Sequence, residues 1–178
     1  MRRLRGAARS EMSAREVAFI ADVMLGRLAR WLRLAGLDTV YERDLDDRQL
    51  ADLARRTGRV LLTRDHELAR RRGVQAILVK SDWVSEQLKQ VLPVLPTGAA
   101  PRSPRCPRCN GGLEPLGSSQ APSTVPAAVR ESGTALRRCV VCGQVYWKGS
   151  HWAGISQVLA EDGSRPAEPI SSPPDPLL

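Results

Sequence analysis

The chain reads as an α/β protein: a parallel sheet flanked by helices, followed by a small module stapled through cysteines. Two observations predict this. From Val17 to about Leu95, short apolar runs alternate with segments of helical periodicity, which is the pattern of consecutive β-α units. Beyond a proline-punctuated stretch, the cysteines come as two close pairs, Cys106/Cys109 and Cys139/Cys142. A length of 178 residues accommodates one modest domain, a small module and tails.

The elements follow in order. Val17 to Ala21 is uniformly apolar and reads as a buried strand. Met24, Leu25, Leu28, Leu32 and Ala35 recur at helical spacing, and Gly36 stands where a helix ends on a left-handed residue. Thr39 to Tyr41 is the second strand. Asp46 and Gln49 have capping-box spacing ahead of Leu50, Leu53 and Ala54, and Gly58 closes that helix. Arg59 to Thr63 is the third strand, followed by a short helix from Asp65 to about Arg71. Ala76 to Val79 and a helix over Val84 to Val91 complete the series.

Composition sets the boundaries: a disordered basic arm over residues 1–16, the α/β domain over 17–95, and a linker over 96–104 containing Pro96, Pro101 and Pro104. A cysteine module spans 105–155, and a Pro/Ser/acidic tail over 156–178 has too little apolar content to bury. Met12 is an alternative start to Met1. No stretch approaches the roughly 18 apolar residues of a membrane span, and the first ten residues lack the apolar core of a secretory signal. A cytoplasmic location is expected. In a reducing compartment, two C-x-x-C knuckles point to a Cys₄ zinc site, with Gly111 and Gly143 permitting the tight turns; redox use of one pair is the alternative. The long stretch between the knuckles requires an excursion, expected over Gly117 to Gly133.

Lys and Arg number 27 against 19 Asp and Glu, a net charge of +8 that suits a polyanionic partner such as RNA. In open parallel sheets, ligands gather beyond the carboxyl ends of the strands. Asp22 and Asp65 follow two apolar strands, and Asp44, Asp46 and Asp47 lie between the second strand and its helix. Converging carboxylates need a cation, and hard oxygen ligands select Mg²⁺ or Mn²⁺, which can activate water against a phosphodiester. Helix capping explains Asp46 and Asp65 equally simply, and for Asp46 it is the favoured reading. Asp47 in the first helical turn suits the helix dipole. Arg27, Arg30 and Arg33 on the helix beside Asp22, together with Arg64, are the candidate phosphate contacts. After the second knuckle, Val145 to Trp147 suits a ribbon strand, and Lys148, His151 and Trp152 combine cation and aromatic surface suited to RNA, the alternative being that Trp147 and Trp152 close a small core and His151 is structural.

The run Asp22-Val23-Met24-Leu25-Gly26-Arg27-Leu28-Ala29-Arg30-Trp31-Leu32-Arg33, the pair Asp46-Asp47, the segment Leu61-Leu62-Thr63-Arg64-Asp65, the paired cysteines and Tyr146 to Trp152 resemble the Mut-seven C-terminal RNase domain family from about Phe19 to Trp152. The resemblance implies a PIN-like α/β fold with a zinc ribbon and metal-dependent RNase activity, Asp22, Asp47 and Asp65 falling on the acidic motif positions. It favours Asp47 over Asp46, because Asp47 lies three residues before Leu50. The unit is short for a PIN domain, and Glu42, Asp44 and Asp82 are the candidates for the acidic residue that larger PIN nucleases place on an intervening helix. RNA is the expected partner, with tRNA or the ribosome as candidate targets. A catalytically silent RNA- or ribosome-associated binding module is the alternative reading.

Overall fold

The computed structural model describes residues 17–95 and 103–147. The basic arm, most of the expected linker, the expected tail, and Lys148, His151 and Trp152 lie outside them. The chain divides into two compact units after Asn110.

The first unit is built on four parallel strands, β1 (Phe19–Ala21), β2 (Thr39–Tyr41), β3 (Val60–Thr63) and β4 (Ala76–Leu78), in the order β2-β1-β3-β4. The register pairs Ile20 with both Val40 and Leu61, and Leu62 with Ile77. The helices are α1 (Gly26–Leu34), α2 (Asp47–Thr57), α3 (His66–Ala69) and α4 (Val84–Val91). The crossover from β1 to β2 runs in the opposite direction from those of β2 to β3 and β3 to β4. Right-handed crossovers therefore place α1 on one face and α2 and α3 on the other.

The packing agrees with this. Ile20 and Leu61 lie in one buried cluster with Leu50, Ala51 and Ala54 of α2 and Leu68 of α3. Alternation along β1 sends Phe19 and Ala21 to the opposite face, and there α1 and α4 pack against each other, burying Leu28, Leu32, Leu88 and Val91. β1 is uniformly buried because it is a central strand covered on both faces, which is why its sequence is apolar without alternation.

Local chemistry sets the helix ends. Asp46 caps α2 in a full capping box: its side chain accepts from Gln49 N at 2.8 Å, and Gln49 Oε1 accepts from Asp46 N at 2.9 Å. The same helix closes on left-handed Gly58. The expected helix from Met24 begins instead with a single 3₁₀ turn over Val23–Leu25 and becomes α-helical at Gly26.

The second unit is a three-stranded antiparallel sheet, β5 (Leu113–Leu116), β6 (Leu136–Cys139) and β7 (Val145–Trp147), in sequence order. The excursion between β5 and β6 contains a 3₁₀ turn and the short helix α5 (Ala127–Glu131). Its Val125 joins Leu116, Leu136 and Val145 in a small core. Such a module buries too little apolar surface to be stable on that basis alone, and a metal staple is the usual supplement.

Candidate functional site

The candidate carboxylates and the first cysteine knuckle stand at opposite edges of the parallel sheet. At the carboxyl edge, Asp22 follows β1 and is only 5% exposed. Its backbone continues the ladder, the amide donating to Leu62 O at 2.9 Å. Its side chain accepts from the Thr63 hydroxyl at 2.7 Å, and that hydroxyl oxygen itself accepts from the Asp65 amide at 3.0 Å. A hydroxyl has one proton to donate, so the bond from Asp65 leaves it directed at Asp22 Oδ2. Asp22 Oδ1 accepts no hydrogen bond among the described residues, and Asp22 does not cap the turn that follows it.

Asp65 caps α3, its Oδ1 accepting from Glu67 N at 2.6 Å and Leu68 N at 2.9 Å. Those backbone donors hold its pKa below the ordinary carboxylate value. Asp47 occupies the first turn of α2 and is exposed, beside the capping Asp46. Glu42 and Asp44 are exposed, and Asp82 forms an ion pair with Arg64. Asp22 and Asp65 are thus joined through Thr63. Among the described residues, however, the three expected acidic residues do not form a group of ligand atoms within single-ion distance; the four cysteines do.

The residue missed in the sequence was Thr63. It ends an otherwise apolar run and is fully buried, and a buried hydroxyl requires a partner. Tyr41, at the end of β2, was missed too; its hydroxyl donates to Val23 O at 3.1 Å on the same edge.

The thiols of Cys106, Cys109, Cys139 and Cys142 have sulfurs all within 4.8 Å of one another, and none is in a disulfide. Tetrahedral zinc with bonds of about 2.3 Å sets its sulfurs about 3.8 Å apart, so the four fit zinc. Each knuckle closes the same way: Asn110 N donates to Cys106 O at 2.8 Å and Gly143 N to Cys139 O at 3.0 Å. Both closing residues are left-handed, with φ of 66° and 72°. Amides of Val141 and Cys142 also point at Cys139 Sγ, at 3.4 and 3.5 Å, where they favour a thiolate.

The sequence assigned the first turn to Gly111, whereas the left-handed position belongs to Asn110. Asn tolerates that conformation better than other side-chain-bearing residues. Gly111 serves close approach instead, since a Cβ there would lie 2.9 Å from Cys139 Sγ.

The first knuckle docks at the amino edge of the parallel sheet. Arg33, expected beside Arg27 and Arg30 on a phosphate-facing surface, turns inward and is 4% exposed. Its Nε donates to Thr39 O at 2.8 Å and its Nη1 to Pro107 O and Arg108 O at 2.9 and 3.1 Å. Burial lowers its pKa, while the Cys106 and Cys109 sulfurs act in the opposite sense. The Asn110 amide bridges Thr39 N and Asp38, and Asp38 pairs with Arg59. Arg27 and Arg30 remain exposed.

A family model described as the Mut7-C RNAse domain matches residues 17–159. The chain belongs to the Mut7-C RNAse domain family. That membership is consistent with a ribonuclease, and the match takes in both the parallel sheet and the cysteine cluster. No curated protein and no solved structure matches the chain. Among the described residues, no helix is long and apolar enough to cross a membrane.

Proposed function

We propose that this Mut7-C family member is a metal-dependent endoribonuclease acting at the carboxyl edge of its PIN-like parallel sheet, with Asp22, Asp47 and Asp65 as its catalytic carboxylates. The observation that supports this most is the chain Asp65 N to Thr63 Oγ1 to Asp22 Oδ2. It fixes a nearly buried carboxylate that has no capping task. The other oxygen of that carboxylate, Oδ1, is not sealed from solvent, so a cation can reach it there.

The donor set fits Mg²⁺ or Mn²⁺. Asp22 Oδ1 and Asp65 Oδ2 accept no hydrogen bond among the described residues, and Mg²⁺ usually binds through one or two carboxylates while keeping several waters. Asp22 and Asp65 would hold the ion, and exposed Asp47 would act through its water shell. When bound, the ion supplies Lewis-acid polarisation of the phosphodiester and activation of water. Thr63 keeps the Asp22 carboxylate in one orientation. Arg27 and Arg30 bind flanking phosphates, and Arg64, on the same edge, does so from its pair with Asp82. Such contacts position RNA without reading its sequence. The cysteine cluster holds structural zinc, and Lys148, His151 and Trp152 add RNA contacts. The location in this reading is cytoplasmic, and RNA is the substrate, with tRNA or the ribosome as candidate targets.

Purified zinc-loaded protein should cut labelled RNAs when Mn²⁺ or Mg²⁺ is added, and the Asp22→Asn, Asp65→Asn double variant should not, at unchanged zinc content. A second reading draws on the capping bonds of Asp46 and Asp65, which give these carboxylates structural tasks. It is a catalytically silent RNA-binding module. Absence of metal-dependent cutting by either protein, with equal RNA binding, would establish that reading instead.

A further inference from the structure

Among the described residues of the first unit, three large apolar side chains stand exposed, and all belong to the carboxyl edge: Val23 (49%), Met24 (63%) and Trp83 (65%). Val23 and Met24 lie in the turn that leads into α1, and Trp83 immediately precedes α4. Both helices leave the same edge and pack against each other, so both starts lie on that edge. An indole exposed to this extent does not stabilise the core. Trp83 does not cap its helix either, although Ser81 and Asp82, which are good capping types, stand next to it.

The segment presenting Trp83 is nevertheless held firmly. Trp83 N donates to Ser81 Oγ at 3.1 Å, buried Gln87 donates from Nε2 to Ser81 O at 2.8 Å, and Lys80 N donates to Gln90 Oε1 at 3.0 Å. Asp82 is tied to Arg64, which adjoins Asp65. An exposed aromatic side chain on a held segment, with exposed Lys80 three residues before it and Arg64 paired to the adjacent Asp82, matches an unpaired nucleobase with its phosphates. In a duplex, both faces of each base are covered by stacked neighbours.

We infer that Trp83 is a stacking platform for an unpaired base, with Met24 and Val23 as its apolar margin, and that it selects single-stranded over duplex RNA. The inference rests on the reading of this edge as the RNA site. It is separated from catalysis by measuring binding without added Mg²⁺ or Mn²⁺ and without chelator, so that zinc is retained.

The probe is a fluorescein-labelled twelve-nucleotide oligouridylate, followed by anisotropy on the full zinc-loaded chain, with a duplex RNA of equal length as comparison. Trp83→Ala should weaken single-strand binding about 10-fold and change duplex binding less than about 2-fold. Trp83→Phe should keep most of the affinity, and the salt dependence should not change, because no phosphate contact is removed. Unchanged oligouridylate affinity in Trp83→Ala would overturn the inference, as would equal loss for single strand and duplex. Neither result would bear on whether added Mn²⁺ supports cleavage.

Discussion

Arg33 Nη1 donates to the carbonyl oxygens of Pro107 and Arg108, the two residues that separate Cys106 from Cys109. The arginine comes from the last turn of α1, while Asp22 precedes that helix, so one helix joins the cysteine knuckle at one sheet edge to the acidic residues at the other. Partners beyond the ligands commonly change metal affinity by about 10- to 100-fold when removed.

Arg33→Met should lower zinc affinity by about 10-fold or more, by competition with a chromophoric chelator. It should also cost about 2–4 kcal/mol in denaturant unfolding, because buried carbonyls lose their donors. Arg33→Lys should recover little, since an ammonium on a single stem cannot reproduce a planar fork that reaches Thr39, Pro107 and Arg108 together.

Thr63 makes a separate claim at the carboxyl edge. Thr63→Val preserves shape but removes the hydroxyl, leaving Asp22 Oδ2 and the Asp65 amide unpartnered. A loss of about 1–3 kcal/mol in stability is expected. Metal-dependent cleavage should fall about 10- to 100-fold, a rate cost in keeping with a misplaced catalytic group. Thr63→Ser should restore both, and the comparison of cleavage rates at matched folded fraction separates positioning from folding.

The amount legible in the sequence follows from how local each signal is. Thr39 to Tyr41 and Val84 to Val91 were delimited as observed, and the Asp46 capping box and the left-handed Gly58 also stand, because each depends on residues within one or two turns. The strand order was not legible: periodicity marks a strand but says nothing of its neighbours. Arg33 was misplaced for the same reason. On a helical wheel it resembles Arg27 and Arg30, and two of its three carbonyl partners lie more than 70 residues away. Thr63 was overlooked because its value depends on Asp22, 41 residues distant.

Acid should probe the amino edge through Asp38. Burial raises its pKa, but hydrogen bonds from Arg59 and Asn110 and the charges of Arg59 and Arg105 outweigh that, holding it below the ordinary carboxylate value. With a folded pKa below the unfolded value of about 3.9, the stabilisation is full above that value and is lost as pH falls toward the folded pKa. The stability difference between wild type and Asp38→Asn, measured by urea unfolding at each pH, should therefore be flat from about pH 7 to 5 and shrink below about pH 4. Taking the difference removes the acid sensitivity of the cysteine cluster, which both proteins share. A difference that grows on acidification would contradict the assignment.

Two adjacent glycines test the zinc knuckle by steric means alone. A Cβ on Gly111 would stand 2.9 Å from Cys139 Sγ and 2.8 Å from Val141 Cγ2, closer than such atoms settle. A Cβ on Gly112 would meet its nearest neighbour, Val140 Cγ2, at 3.8 Å, which is ordinary contact. Gly111→Ala must displace the Cys139 sulfur, Val141 or the turn around them, so if the four cysteines bind zinc its affinity should fall about 10-fold or more, a change the size of losing an outer-shell partner. Gly112→Ala should bind zinc like the wild type. The parallel-sheet unit lies in the preceding segment of the chain, so far-ultraviolet dichroism of zinc-saturated Gly111→Ala should stay near that of the wild type while the competition assay shifts. Equal zinc affinity in the two variants would mean that the Cys139 sulfur can yield to a methyl group without cost to the metal site.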